Sequence, residues 1–194
     1  FFETTPSVIA AGDQVVMVLR AVDVKGNTWT VNGTASMELG NADELTQTSS
    51  YWLLQAEEAR SWRFEGNWYD NSTGAQFITD KAFDVRVGSL AFITLQGEGS
   101  LVPADGELNL DPEFFDAYGN QLPPIGLNWT LDGNDITLDM LLNDGRWVAT
   151  TLGGHELRVN ADGVFATVRL TVVAGAPHAL LTDADDGLYV RAGV

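Results

Sequence analysis

Three groups of side chains in this sequence are of types that could do chemistry. Asp183, Asp185 and Asp186 lie in the run Asp183-Ala184-Asp185-Asp186-Gly187, and hard carboxylate oxygens beside a glycine suit Ca2+. The run departs from an EF-hand loop, because Gly187 stands where the third ligand belongs and no acidic residue occupies the twelfth position. Its plainer reading is a solvated acidic turn. Trp52, Trp68 and Tyr69, with Tyr51 alongside, form a second group. Exposed, they would make a platform for sugar rings or a protein partner; buried, they would cover an insertion. Asn32, Asn71 and Asn128 each open an Asn-X-Ser/Thr sequon, and they are glycan acceptors if the chain passes a glycosylation machinery.

Catalysis has less to draw on. His155 and His178 are the only histidines, and His155-Glu156-Leu157-Arg158-Val159 lacks the second histidine of a zinc-protease helix. Both read as loop or linker positions. Gly97-Glu98-Gly99 is a lone Gly-X-Gly with no helix signal behind it. Glycosidase carboxylates are set by separation in space, which spacing in sequence does not give. The reading is therefore a protein without catalytic residues, since function is argued from sites.

Composition bounds the partners. With 27 acidic against 10 basic residues, a net charge of −17, binding to nucleic acid or an anionic bilayer is unfavourable over most of the surface. The absence of cysteine removes disulfides, thiolate metal sites and a cysteine nucleophile. No stretch approaches the roughly 20 apolar residues of a membrane helix, and Phe1-Phe2-Glu3 lacks the basic and apolar regions of a signal peptide.

The elements that must carry these residues are marked by repetition. Trp29-Thr30-Val31-Asn32-Gly33 returns as Trp129-Thr130-Leu131-Asp132-Gly133, Ala21–Asn27 answers to Phe114–Asn120, and Val85–Ala91 to Val172–His178. Units of this size bury their own cores. The expected domains are 1–88 and 89–175, with 176–194 opening an incomplete third repeat. Pro123-Pro124 lengthens one connection, and Trp29/Trp129 and Trp62/Trp147 are expected to fill equivalent positions. Leu53–Arg60 is rich in helix formers, yet its repeat counterpart, Met140–Arg146, reads as a strand and turn. Packing overrides propensity, so strands are expected there. About seven short strands per unit, with a turn every eight to twelve residues, predict an all-β chain of two tandem Ig-like β-sandwiches. Leu188–Val194 reads as the first strand of a further domain, in a piece of a longer array or in a subunit that lends a strand.

The order Ala-Gly-Asp before an apolar strand, Asp-X-X-Gly-Asn, Trp-Thr-Val/Leu, Gly145-Arg146-Trp147-Val148-Ala149-Thr150 and Ala166-Thr167-Val168-Arg169-Leu170-Thr171-Val172 resembles the bacterial Ig-like repeats of invasin, intimin and other prokaryotic surface proteins. The resemblance covers nearly all of 90–175 and, more loosely, 5–88. It implies a sandwich fold and an extracellular stalk, adhesin or assembly segment whose partners are neighbouring repeats or proteins at the cell surface. It supplies no catalytic residues. The competing expectations are a carbohydrate-binding module using Trp52, Trp68 and Tyr69, and an accessory domain of an extracellular hydrolase.

Overall fold

The computed structural model describes the chain except for residues 7, 39–43, 138–144, 178–179, 182–188 and 191–194. Two compact units emerge, Phe1–Ser89 with Phe115–Leu122, and Leu90–Phe114 with Pro123–Val194. No helix occurs among the described residues, and none is long and apolar enough to cross a membrane.

The first unit comprises β1 (Phe2–Thr5), β2 (Ile9–Ala10), β3 (Gln14–Val22), β4 (Thr28–Thr30), β5 (Thr34–Met37), β6 (Glu44–Gln47), β7 (Trp52–Gln55), β8 (Ser61–Asp70) and β9 (Ala75–Arg86). One sheet runs β1-β3-β7-β6, with β4 beside β3, and the other β2-β9-β8-β5. Alternation drives their packing: on β3, Val15, Met17 and Leu19 are buried, on β7 Trp52 and Leu54, and on β8 Trp62 and Phe64. Successive side chains leave a strand on opposite faces, so each strand buries one row. The rows meet in one core. Of Leu53–Arg60, Leu53–Gln55 is strand and the rest connects β7 to β8, so strand prevails over helix propensity there. Its counterpart by register begins at Arg146 and is not the expected Met140–Arg146, because Leu54 faces Val15 as Trp147 faces Leu108.

The second unit repeats the scheme with β10 (Phe92–Thr94), β11 (Leu101–Pro103), β12 (Glu107–Asn109), β13 (Glu113–Phe115), β14 (Asn128–Leu131), β15 (Asn134–Asp135), β16 (Arg146–Val148), β17 (Gly153–Ala161) and β18 (Val164–Val173). Its larger sheet runs β11-β18-β17-β14-β15. The long β3 is replaced by the separate β12 and β13, because Pro112 lies between them and has no N–H to give a ladder. Each unit also contains one parallel pair, β2 with β9 and β11 with β18. A final pair, β19 (Leu180–Leu181) and β20 (Tyr189–Val190), is antiparallel. The strand expected over 188–194 is thus described only at Tyr189–Val190, and it pairs with β19.

Strand register corrects the expected tryptophan equivalences. Ile9 faces Val85, and Val102 faces Val172. Two residues before those valines, Phe83 faces Trp62 and Leu170 faces His155. The counterpart of Trp62 is therefore His155. Trp147 faces Leu108 on β12 as Leu54 faces Val15 on β3, so it matches Leu54. Trp129 faces Val159 as Ala35 faces Gly66. Trp29 follows Thr28, which pairs with Val22, as Leu122 follows Gln121, which bridges Phe115. The burial differs accordingly: Trp129 is 1% exposed and Trp29 44%. The repeated pentapeptide sits on different strands in the two units.

Candidate functional site

The aromatic residues divide between the core and two faces of one hairpin. Trp52 is 3% exposed and meets the rings of Phe2 and Phe64 edge-on, at 6.0 and 5.7 Å between centroids. It is therefore core, not part of a platform, because its place on β7 points it between the sheets. Trp68 and Tyr69 are neighbours on β8 and so leave opposite faces. The expected trio of Trp52, Trp68 and Tyr69 does not come together.

Trp68 is half-buried and stacks on Phe77 across the β8–β9 ladder, with centroids 5.4 Å apart and planes at 22°. With Trp29 and Ile78 it lines a groove of about 360 Å³ that also takes in Arg20 and Asp70. Among the described residues, the second unit lacks the ladder that builds this groove. The β8–β9 ladder runs past Trp68 to Asp70, whereas the matching positions in the second unit are Ala161 and Val164, where β17 and β18 already turn. Sequence reasoning missed Trp29 and Phe77; the one signal was that Trp68 lacks a repeat partner.

The polar groups of the groove are held by local bonds. Arg20 Nε donates to Glu3 Oε2 at 2.9 Å, and Nη1 to Thr30 Oγ1 at 3.2 Å. Asp70 accepts from the Ser72 hydroxyl and Thr73 hydroxyl, both at 2.7 Å, and from Ser72 N–H. The Ser72 hydroxyl and then that of Thr73 hold its carboxyl below the usual value. Tyr69 lines a different, amide-rich surface with Asn32, Asn67, Asn71 and Gln76. Asn32, Asn71 and Asn128 are all exposed.

His155 is not a loop residue. It lies on β17 with a side chain 9% exposed, its Nδ1 2.7 Å from Asp132 Oδ2 and its Nε2 2.7 Å from the Thr151 carbonyl. Two acceptors call for an imidazolium, and the bond to Asp132 raises the histidine pKa against the opposing effect of burial. Asp132 is held low, first by the Glu156 N–H it accepts and then by His155. A general base needs a free ring nitrogen. Here both are engaged, and they tie β17 to Asp132 and to the Thr151 carbonyl.

The Asp-X-X-Gly-Asn element is the same turn in both copies. Asp23 Oδ1 accepts from Lys25 and Asn27 N–H at 2.8 and 2.9 Å, and Oδ2 from Asn27 Nδ2 at 2.7 Å. Asp116 Oδ1 accepts from Tyr118 and Asn120 N–H, both at 2.9 Å, and Oδ2 from Asn120 Nδ2 at 2.8 Å. Gly26 and Gly119 take φ of 87° and 84°, a conformation open to glycine at no steric cost. The second turn goes further. Asp116 Oδ2 also accepts from Gly88 N–H at 2.8 Å, Asn120 Nδ2 donates to the Glu57 carbonyl at 2.7 Å, and Ala59 N–H donates to Asn120 Oδ1 at 2.8 Å. Asp116 is in consequence 1% exposed. Burial pushes its carboxyl up, but the bonds from Gly88, Asn120 and Tyr118 outweigh that and hold it low.

Asp183, Asp185 and Asp186 lie outside the described residues, as does His178. Among the described residues no group of three or more His, Cys, Asp or Glu is arranged to hold a metal ion.

No family model matches the sequence, and no curated protein matches it. Solved structures do. The adhesin FdeC of Escherichia coli is 16% identical over 90% of this chain and 63% of its own, with a TM-score of 0.58. The extracellular domain of protocadherin GammaB4 is 11% identical over 96% of this chain and 35% of its own, with a TM-score of 0.50. The fold is Ig-like. The S-layer protein SbsC, domains 4 and 5, aligns with a TM-score of 0.38 at 12% identity, over 89% of this chain and 96% of its own. This chain spans less than two thirds of the adhesin and protocadherin structures.

Proposed function

We propose that the chain is a non-catalytic structural and adhesion module of a larger extracellular or cell-surface protein, of the bacterial Ig-like kind. The observation that carries this reading is the use of polar side chains. Asp23, Asp70, Asp116, Asp132 and His155 close turns or tie strands together, so the chemistry of these groups is spent on holding the fold. The shared fold with an adhesin supports it. Labelling intact cells tests it: an antibody to this chain should stain unpermeabilised cells, and external protease should remove the signal. Staining only after permeabilisation would overturn the reading.

A second reading, glycan binding, is favoured by the groove of Trp29, Trp68 and Phe77, since partly exposed aromatic faces stack against apolar sugar faces. Titration with a glycan panel should shift tryptophan fluorescence in the native chain and not in Trp68→Ala. No response across the panel removes this reading. Calcium at Asp183, Asp185 and Asp186 is a proposal of the sequence alone. Specific binding to the folded state raises the melting midpoint, and a chelator should lower it.

A further inference from the structure

Asn32-Gly33 is the sole Asn-Gly pair in the sequence. It lies in the short connection between β4, which pairs with β3 in one sheet, and β5, at the edge of the other. Val31 before it is buried, and the Val31 N–H donates to the Leu19 carbonyl at 3.0 Å. Gly33 backs onto the Asn67 carbonyl and the Leu19 side chain, and a Cβ there would collide with both. Packing therefore demands glycine at 33. Asn32 itself is exposed, and among the described residues neither its side chain nor the Gly33 N–H has a hydrogen-bond partner.

The other described asparagines are held, or the N–H that follows them is. Asn27, Asn109 and Asn120 donate through Nδ2 to Asp23, Asp111 and Asp116 at 2.7, 2.6 and 2.8 Å, and Asn160 Oδ1 accepts from Gly163 N–H at 3.2 Å. After Asn71, the Ser72 N–H donates to Asp70 Oδ1 at 2.9 Å, and after Asn128 the Trp129 N–H donates to Thr137 Oγ1 at 2.9 Å. Asn67 and Asn134 stand in paired strands. The distinction matters because asparagine is lost by attack of the next backbone nitrogen on its side chain, which makes it thermolabile. Glycine leaves that nitrogen uncrowded and its backbone free to turn.

We propose that Asn32 is a site of spontaneous covalent modification, with water as the co-reactant. The Gly33 nitrogen attacks Asn32 Cγ, and the new N–Cγ bond forms as the Cγ–Nδ2 bond breaks. The Gly33 proton passes through solvent to the departing nitrogen, which leaves as ammonia. Water then opens the succinimide ring at either carbonyl, giving aspartate or isoaspartate. Both products add a negative charge to the surface shared with Asn67, Tyr69, Asn71 and Gln76, and both remove the nitrogen that a glycan at this sequon would use. Isoaspartate also inserts a backbone carbon between Val31 and Gly33, which puts the start of β5 out of step with the anchored Val31. The reaction rests on local geometry and stands apart from the surface reading above.

The test is incubation of the native full chain in mildly alkaline water enriched in heavy oxygen, followed by peptide mass spectrometry, with the chain unfolded in urea as reference. Label should enter at Asn32 in both, as a mixture of aspartate and isoaspartate. In the native chain Asn71 and Asn128 should lag by about tenfold or more, because each following N–H must first give up a hydrogen bond and carries a bulkier side chain. Asn32→Gln, whose longer arm would have to close a larger ring, should take up no label there over the same time. Amide exchange on β5 should quicken in the isoaspartate fraction and stay unchanged in Asn32→Asp. An Asn32 that reacts in urea but not in the native chain, or an Asn71 or Asn128 that keeps pace with it, would overturn the proposal. Unaltered β5 exchange in the isoaspartate fraction would overturn its structural consequence.

Discussion

Replacing Asp116 by alanine should destabilise the first unit far more than the same change at Asp23, although the two residues occupy the same place in the same turn. At Asp116 the carboxylate accepts from three backbone N–H groups and one amide and is enclosed. Hydrogen bonds to a charged group contribute about 1.5–3 kcal/mol each, less what burial of the charge costs. Single substitutions seldom exceed about 4 kcal/mol, so a loss of about 3 kcal/mol is expected. For a unit of this size, that lowers the melting midpoint by about 12–24 °C. Around Asp23, water can take over the freed N–H groups, and the shift should be much smaller. Thermal melting combined with residue-resolved amide exchange on β3 and β8 reads the effect in the correct unit. The carboxyl's folded pKa is depressed, so its contribution is complete above the unfolded value and is lost as pH falls through the folded one. Asp116→Ala should therefore flatten the acid limb of the stability curve. An effect at Asp116 no larger than at Asp23 would refute the reasoning.

Other outcomes follow from the same structure. The raised pKa of His155 means that its stabilising contribution is complete below the ordinary value of 6.5 and is lost as pH rises through the folded one. His155→Phe should remove that alkaline decline, measured by melting from acid to mildly basic pH. Gly66 lies under the Phe2 ring, and a Cβ there would collide with it. Gly66→Val should cost about 1–3 kcal/mol by overpacking, with part of the loss recovered by Phe2→Leu in urea titration. Trp52→Ala should cost about 3–5 kcal/mol, as for other buried large aromatics, whereas Trp68→Ala, on a half-buried face, should cost clearly less in the same assay.

The turns were legible because Asp-X-X-Gly-Asn has a mechanism: the aspartate accepts from the residues two and four ahead, and the glycine takes a positive φ. Strand character over 53–55 was legible because packing outranks propensity there. The pentapeptide misled for the opposite reason. Trp-Thr-Val/Leu followed by a small turn is what any half-buried strand ending in a turn can look like, and here it falls on β4 in one unit and on β14 in the other. Burial of Trp52 and the split of Trp68 from Tyr69 depend on which face of a strand each residue leaves, and a one-residue change of register reverses that. His155 gave no signal because its partners, Asp132 and Thr151, come from other positions in the chain and meet it only on folding.

The central claim is that the two units share one sandwich frame and differ in the aromatic groove of the first. Hydrogen exchange of the six indole N–H groups, followed by NMR in the intact chain, tests it most directly. Trp52, Trp62, Trp129 and Trp147, all buried, should exchange slowly, and Trp29 quickly. Slow exchange at Trp29 matching that at Trp129 would restore the pentapeptide as a true equivalence and contradict the account.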